Sequence, residues 1–299
     1  MEKYNHTVTQ DEVGLSINQI IKANFKFSSR FKTKMKYQQL VDLNDIQTPG
    51  FKKPEEGDVI SIRLPQETSD FPVEDIPVIV LYEDDDLMFI NKQPGIIVHP
   101  TKGHPHHTIA NGIMKYMQDH DQSYKIRFAN RIDMDTSGIV IVAKNANAQN
   151  DISHQMRSNT VHKQYIAIVN GIIDEDEFTV HAPIGRPREE SIKRTVLEEG
   201  GKDAITDVRV LERFTNNTLV EVTLHTGRTH QIRVHLKHVG HPITGDRLYG
   251  GDAPGLMERQ ALHAAQMTVR HPMTKEKLTV EASLPAYRTK NVLQNRYSH

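Results

Sequence analysis

The chain has 299 residues, 37% hydrophobic and 25% charged, with 37 basic residues against 38 acidic ones for a formal net charge of −1. That length supports a larger domain with a smaller companion, and the charge balance offers no global signature of a polyanionic partner. No apolar run approaches the roughly 20 residues of a membrane span, the Met-Glu-Lys-Tyr-Asn-His start lacks a secretory core, and without cysteine there is no disulfide, thiol nucleophile or cysteine-built metal site, so a cytoplasmic protein is expected.

Residues 1–66 read as a small N-terminal module. Leu15, Ile17, Ile20 and Ile21 recur at near-helical spacing, and Gly57 to Ile62 closes the module as a strand. Between them, Lys22 to Lys36 carries six basic residues and no acidic one, punctuated by Phe25, Phe27 and Phe31. Aromatic platforms on a phosphate-tracking surface are one reading. The more ordinary one is an amphipathic helix with phenylalanines in the core and lysines in water. Glu67 to Asp75, acidic and interrupted by Pro72, marks a linker over 67–76.

The second domain is expected over 77–290, followed by a tail at 291–299. Val78–Tyr82 and Leu87–Asn91 predict a hairpin whose acidic turn, Glu83 to Asp86, reads as a solvated tip. After the Gln93-Pro94-Gly95 turn, Thr108 is placed to cap a helix carrying Ile109, Ile113, Met114 and Met117. Ile139 to Ala143 is apolar, mostly β-branched and too short for a globular helix, so it predicts a strand buried on both faces. Just before it stand Arg131, Asp133 and Asp135, two apart and thus on one side of an extended trace, with Thr136-Ser137-Gly138 as the turn. On its own that pattern is equally an entry loop with a surface ion pair.

A helix is expected from Asn145 to about Arg157, then a strand from Lys163 to Val169 that puts Lys163, Tyr165 and Ala167 on one face. Residues 183–202 suggest an exposed loop, and further strands are expected at 204–211, 219–224, 264–269 and 277–282. Between them, Thr229 to Val239 predicts a helix with Ile232, Leu236 and Val239 in one stripe, Arg233 and Lys237 beside it, and Gly240 as its stop. Many strands, few helices and no regular β-α alternation indicate an α+β fold with a largely antiparallel or mixed sheet.

The histidines at 99, 104, 106 and 107 are the most tempting metal cluster, yet they sit in a Pro- and Gly-rich loop without metalloprotease spacing or a clear carboxylate partner. His225, His230, His235, His238 and His241 read as hydrogen-bonding or RNA-contacting groups. Phosphate-loop and dinucleotide glycine signatures do not occur, and Ser137 lacks a nucleophile elbow.

What remains is an ensemble of an aspartate before a strand, a tyrosine on another strand and an arginine on a helix. The stretches Arg-Ile-Asp-Met-Asp-Thr-Ser-Gly from Arg131, Lys-Gln-Tyr-Ile-Ala-Ile-Val-Asn-Gly from Lys163, Thr-Gly-Arg-Thr-His-Gln-Ile-Arg-Val-His-Leu from Thr226 and Gly-His-Pro-Ile-Thr-Gly-Asp-Arg-Leu-Tyr-Gly from Gly240 resemble, in order, the signatures of the RluA/RluD-type ribosomal RNA pseudouridine synthases. Ile-Asn-Lys-Gln-Pro-Gly before the histidine loop and Leu262-His263-Ala264 support the match, which covers about Leu81 to Pro285.

The resemblance implies Asp133 as catalytic aspartate, Tyr165 as active-site tyrosine and Arg233 as the cation paired with the aspartate. It further implies that Arg131 takes the place of a flipped-out uridine and that Val234 packs against the base. A pseudouridine synthase catalytic domain beside a small RNA-binding-like N-terminal domain is the implied architecture. Ribosomal RNA, of the large subunit, is the implied partner of a monomeric isomerase that uses no metal, nucleotide or redox cofactor and no membrane. Asn130 departs from the family's usual histidine, which would alter local RNA contacts, and the N-terminal motif is eroded. Two rivals remain: an RNA-binding factor that kept the fold without catalysis, and a metal-dependent phosphodiesterase built on the His99–His107 loop.

Overall fold

The structure, a computed structural model, describes residues 3–25, 27, 29–64, 67–101, 103–254 and 257–285. The tail expected at 291–299, and Lys26 of the basic run, lie outside the described residues.

The N-terminal elements are β1 (Lys3–Thr7), α1 (Ile17–Asn24), α2 (Ser29–Tyr37), β2 (Val41–Leu43), β3 (Ile46–Gln47) and β4 (Val59–Arg63). Their strands form an antiparallel sheet in the order β1-β4-β2-β3. Ser16 starts α1 with a capping box to Gln19, and Ile17, Ile20 and Ile21 are buried against Ile60 and Ile62. Phe25, Phe27 and Phe31 complete this core, with ring centroids 5.2 Å apart for the first pair and 4.8 Å for the second, while Lys22, Lys32 and Lys36 face outward. Burial of each phenylalanine favours the fold by about 1.5–3 kcal/mol, which stacking on RNA would forfeit. The amphipathic reading therefore holds, divided over two helices because the chain turns at Phe25.

Residues 67–79 contain no helix or strand, yet they are tied down along their length. Ser69 Oγ accepts the Ile126 N–H at 2.9 Å, the Pro72 carbonyl accepts from Asn111 Nδ2 at 2.9 Å, and Glu74 accepts the His107 N–H at 3.1 Å. Glu67 pairs with Arg127 and Lys34.

Next come β5 (Val80–Glu83), β6 (Leu87–Lys92), α3 (Ile109–Asp119), β7 (Arg127–Phe128), β8 (Ser137–Ala143), α4 (Ala146–Arg157), β9 (His162–Asn170), β10 (Glu177–His181), β11 (Ile184–Gly185), β12 (Thr195–Val196), β13 (Ile205–Arg213), β14 (Asn217–Leu224), α5 (Gln231–His238), β15 (Leu262–Arg270) and β16 (Lys277–Glu281). Ten of these strands form one mixed sheet in the order β10-β13-β14-β9-β15-β8-β6-β5, with β16 also on β15 and β7 also on β8. Strands β11 and β12 make a separate ribbon inside the stretch read as a loop.

Both faces of β6 and β8 are covered, which explains their unbroken apolar runs. Phe89, Ile139 and Ile141 pack with Ile152 of α4 on one side, and Met88, Ile90, Val140 and Val142 with Ile113 and Met117 of α3 on the other.

Two expectations change. The hairpin of β5 and β6 is present, but its acidic turn is no solvated tip: Asp86 is 5% exposed and accepts from the Tyr4 hydroxyl at 2.6 Å and Asn145 Nδ2 at 2.7 Å. Asp84 caps the backbone N–H groups of Asp86 and Leu87 and pairs with His271. Burial, and after it Asp86, pushes the Tyr4 phenol above its usual range, so Tyr4 stays a donor between the two sheets.

The second change concerns Ser137 and Gly138, which belong to β8; the turn falls at Met134-Asp135. Here β8 and β15 pair in parallel, Ser137 opposite His263 and Gly138 opposite Ala264. Gly138 has φ +109°, and a Cβ there would lie 2.2 Å from the Ala264 carbonyl oxygen. Only glycine allows this approach.

Candidate active site

Asp133 sits on the irregular stretch between β7 and β8, and that stretch is pinned from both ends. Asn130 acts as a substitute strand residue: its Oδ1 accepts the Ile141 N–H at 2.7 Å and its Nδ2 donates to the Ile139 carbonyl at 3.2 Å. Lys92, 1% exposed, donates to the carbonyls of Gln93, Ile96 and Met134 at 2.8, 2.9 and 2.7 Å. Arg259 donates to the Asp135 carbonyl at 3.0 Å, and the Thr136 N–H closes on the Asp133 carbonyl at 3.1 Å. The acid is thereby held at a fixed place on an otherwise irregular loop.

Arg233 reaches it from α5. Ile232 and Leu236 bury the apolar stripe of this helix, which turns Arg233 inward at 6% exposure. Its Nη1 donates to Asp133 Oδ2 at 2.7 Å, while Nε and Nη2 engage both oxygens of Asp246 at 2.7 and 2.8 Å. A single guanidinium fork thus bridges a half-exposed carboxylate and one that is 1% exposed. Burial opposes the charge on Arg233, but Asp246 and then Asp133 outweigh it and hold the group above its usual range. The ring of Tyr249 lies 5.0 Å from the guanidinium carbon.

Tyr165 projects from β9, paired with Val222 of β14 and Ala264 of β15 at the middle of the sheet. It shares with Asp133 and Arg233 a small cleft of about 70 Å³, also lined by Arg131, Arg228 and His230 and walled by Ile132, Leu224, Ile232 and Leu262. Burial, and then the charge of Asp133, pushes the Tyr165 phenol up, so it keeps its proton at neutral pH.

Four of the five residues singled out from the sequence therefore line one cleft: Arg131, Asp133, Tyr165 and Arg233. Val234 does not. It is buried with Ile184, Ala204 and Tyr249 in a small core beneath the β11–β12 ribbon, because helical positions two apart point about 200° from each other and Ile232 takes the cleft side. Asp135 is directed elsewhere, its charge acting on Lys92 and Arg259.

Sequence reasoning gave no site role to Asp246, Lys92 and Tyr249, and read His230 only as a hydrogen-bonding or RNA-contacting group. Asp246 and Tyr249 stand inside Gly245-Asp246-Arg247-Leu248-Tyr249-Gly250, where Arg247 is exposed and Asp246 is buried. In the histidine loop, His106 and His107 share Glu74, and His99 meets the rings of Phe71 and Phe128 edge-on. Among the described residues no three histidine or acidic side chains converge on a point that could hold a metal ion. No described helix is long and apolar enough to cross a membrane.

Fold and cleft together bring an aspartate held by a guanidinium into one cleft with a protonated tyrosine, on a mixed sheet. Residues 86–238 match the RNA pseudouridylate synthase family. The chain is 41% identical to an uncharacterised RNA pseudouridine synthase of Bacillus subtilis, YlyB, over 77% of each chain. It is also 41% identical to the ribosomal large subunit pseudouridine synthase D of Nitrosomonas europaea, over 71% of this chain and 63% of that one. Among solved structures, human RNA pseudouridylate synthase domain containing 1 superposes with a TM-score of 0.59 at 27% identity, covering 72% of this chain and 86% of that chain. The chain belongs to the RNA pseudouridylate synthase family, whose members are isomerases.

Proposed function

We propose that the protein converts specific uridines of ribosomal RNA, in the large subunit, to pseudouridine, with Asp133 as the reacting carboxylate. The observation that carries this reading is the Asp133–Arg233–Asp246 bridge at a cleft that also holds Tyr165 and Arg131. The large-subunit substrate rests on the relatives named for it in Nitrosomonas europaea and Neisseria meningitidis.

The isomerisation breaks the bond from uracil N1 to ribose C1′, turns the base and joins C5 to C1′; C5 gives up a proton and N1 ends with one. Nothing is oxidised or reduced, and no group is gained or lost, so the reaction calls for no cofactor. It calls for one ionised carboxylate at the ribose, as nucleophile at C1′ or as the base that begins an elimination, and Asp133 supplies it in either course. Tyr165 offers a ring for the uracil to stack on. Because burial and Asp133 keep the phenol protonated, its oxygen has no free site for the C5 proton, which passes instead to Asp133 or to water.

The target base must leave its stack at a cost of a few kcal/mol, on the order expected for base flipping. Arg131, exposed at the mouth of the cleft, is placed to fill the gap, and the exposed Arg228, Lys237 and Arg247 to follow phosphates. The N-terminal unit, residues 1–66, is proposed as a second RNA contact. It has a groove of about 670 Å³ lined by Lys22, Lys32, Lys36 and the exposed Phe51. The protein is proposed to act as a monomer, and a cytoplasmic location follows from the proposed substrate.

Mapping pseudouridine in ribosomal RNA from cells with and without the protein tests the reading. Specific large-subunit positions should lose the modification and regain it with the wild-type chain. An unchanged map would leave a binding factor that kept the fold.

A further inference from the structure

His230 occupies an uncommon backbone position. It stands before α5 with φ 60° and ψ 20°, the left-handed region that a histidine enters only at a cost, and it does not cap the helix with its side chain. Gln231 does the local hydrogen bonding instead, its Oε1 accepting from the Arg228 N–H and the Thr226 hydroxyl, each at 2.9 Å. The imidazole is thereby turned into the cleft at 12% side-chain exposure.

Its two nitrogens meet different groups. Nδ1 lies 2.8 Å from the Tyr249 hydroxyl, and that hydroxyl already accepts the backbone N–H of Arg194 at 2.8 Å. A phenol has one proton to donate, and burial holds Tyr249 above its usual range, so the proton stays on oxygen and is directed to Nδ1. In that arrangement Nδ1 accepts, which leaves the imidazole hydrogen to Nε2. Nε2 faces Asp133 Oδ2 at 3.7 Å, the same oxygen that Arg233 holds at 2.7 Å. Burial pushes His230 down, Arg233 and Arg194 act in the same direction, and Asp133 and Asp246 oppose them; a neutral ring results.

We propose that His230 is a positioning residue: a neutral imidazole, its tautomer set by Tyr249, whose Nε2–H closes on Asp133 Oδ2 when the uridine enters, so that Oδ1 is the oxygen that reacts. This rests on the reading of Asp133 as the reacting carboxylate. The 3.7 Å separation is longer than a hydrogen bond, and contacts of this kind tighten in the substrate complex. The same chain of contacts ties the stretch that carries Arg194, next to β12, to the acid through Tyr249 and His230.

Two measurements on the full-length protein test it. Nitrogen-15 NMR of labelled histidines, with His230→Gln to assign the signal, should find His230 neutral and protonated on Nε2 at pH 7. Tyr249→Phe should allow the Nδ1-protonated form. Single-turnover kinetics should separate two replacements that bear the same backbone cost. His230→Gln, which retains a donor, should stay within about threefold of wild type. His230→Leu should fall about 10- to 100-fold at unchanged RNA affinity, the scale of one hydrogen bond to a charged group. A wild-type His230 protonated on Nδ1, equal rates for the two variants, or a loss that follows RNA affinity would each overturn the proposal. Asp133→Asn run alongside separates the layers: turnover in that variant would refute the reading of Asp133, whereas an inactive Asp133→Asn beside an unimpaired His230→Leu would refute His230 alone.

Discussion

Asp246→Asn isolates what the buried half of the carboxylate bridge does. The substitution preserves volume, but it replaces an anion that takes two Arg233 N–H groups, at 2.7 and 2.8 Å, with an amide that can accept from one and opposes the other with its own N–H. Removing one member of a buried ion pair costs about 3–5 kcal/mol. Arg233 retains Asp133 at 2.7 Å, which places the expected loss near the lower bound, about 3 kcal/mol, or roughly 6–12 °C in melting temperature for a chain of this size. The guanidinium would then follow Asp133 alone, and the orientation of the reacting carboxylate would loosen. Single-turnover pseudouridine formation should drop by about tenfold or more, the kinetic equivalent of one charge-assisted hydrogen bond. Calorimetry and a quench-flow assay on the same preparation measure both effects. A variant that melts within about 1 °C of wild type, a difference worth only a few tenths of a kcal/mol, and turns over at the same rate would refute the view that Asp246 holds Arg233 in place.

Asn130→Ala should leave the buried Ile141 N–H without the acceptor it has at 2.7 Å and cost about 1–3 kcal/mol. Because the same side chain fixes the loop bearing Asp133, the single-turnover rate should fall more than RNA affinity; equal losses in both would argue against a clamp. Lys92→Met probes a pH dependence. Burial pushes Lys92 from 10.5 down to about 7, with Arg259 adding to that push against Asp135 and Asp133. The unfolded chain therefore keeps this proton between about 7 and 10.5 while the folded chain gives it up, so the contribution of Lys92 to stability rises with pH across that window. The melting temperature of wild type relative to Lys92→Met should increase from pH 7 to pH 10, and parallel curves would contradict it.

Strand β8 and helix α3 were legible because their signals are local: a run buried on both faces, and a threonine three residues before a side chain that completes its cap. Asp86 was not legible. Its partner Tyr4 is 82 residues away, and an acidic turn with no visible partner reads as solvated. Asn130 looked like a departure that would alter RNA contacts, whereas its amide replaces a missing strand along β8. The placement of Ser137 and Gly138 depended on a parallel pairing with β15, more than 120 residues downstream, which turn chemistry alone does not reveal.

For the site, motif resemblance selected Asp133 over Asp135, which local spacing left equivalent. The structure brings Tyr165 and Arg233 to it across the sheet. Val234 illustrates the limit of that route. A motif fixes which residues are present, but the helical phase decides which of two apolar side chains two positions apart meets the cleft, and here Ile232 does.

The most direct test of the central claim is pseudouridine formation by Asp133→Asn under single-turnover conditions on large-subunit ribosomal RNA. Binding affinity is measured on the same samples. The account predicts no pseudouridine from the variant over the time in which wild type reaches completion, with RNA affinity retained. Turnover by Asp133→Asn would contradict it.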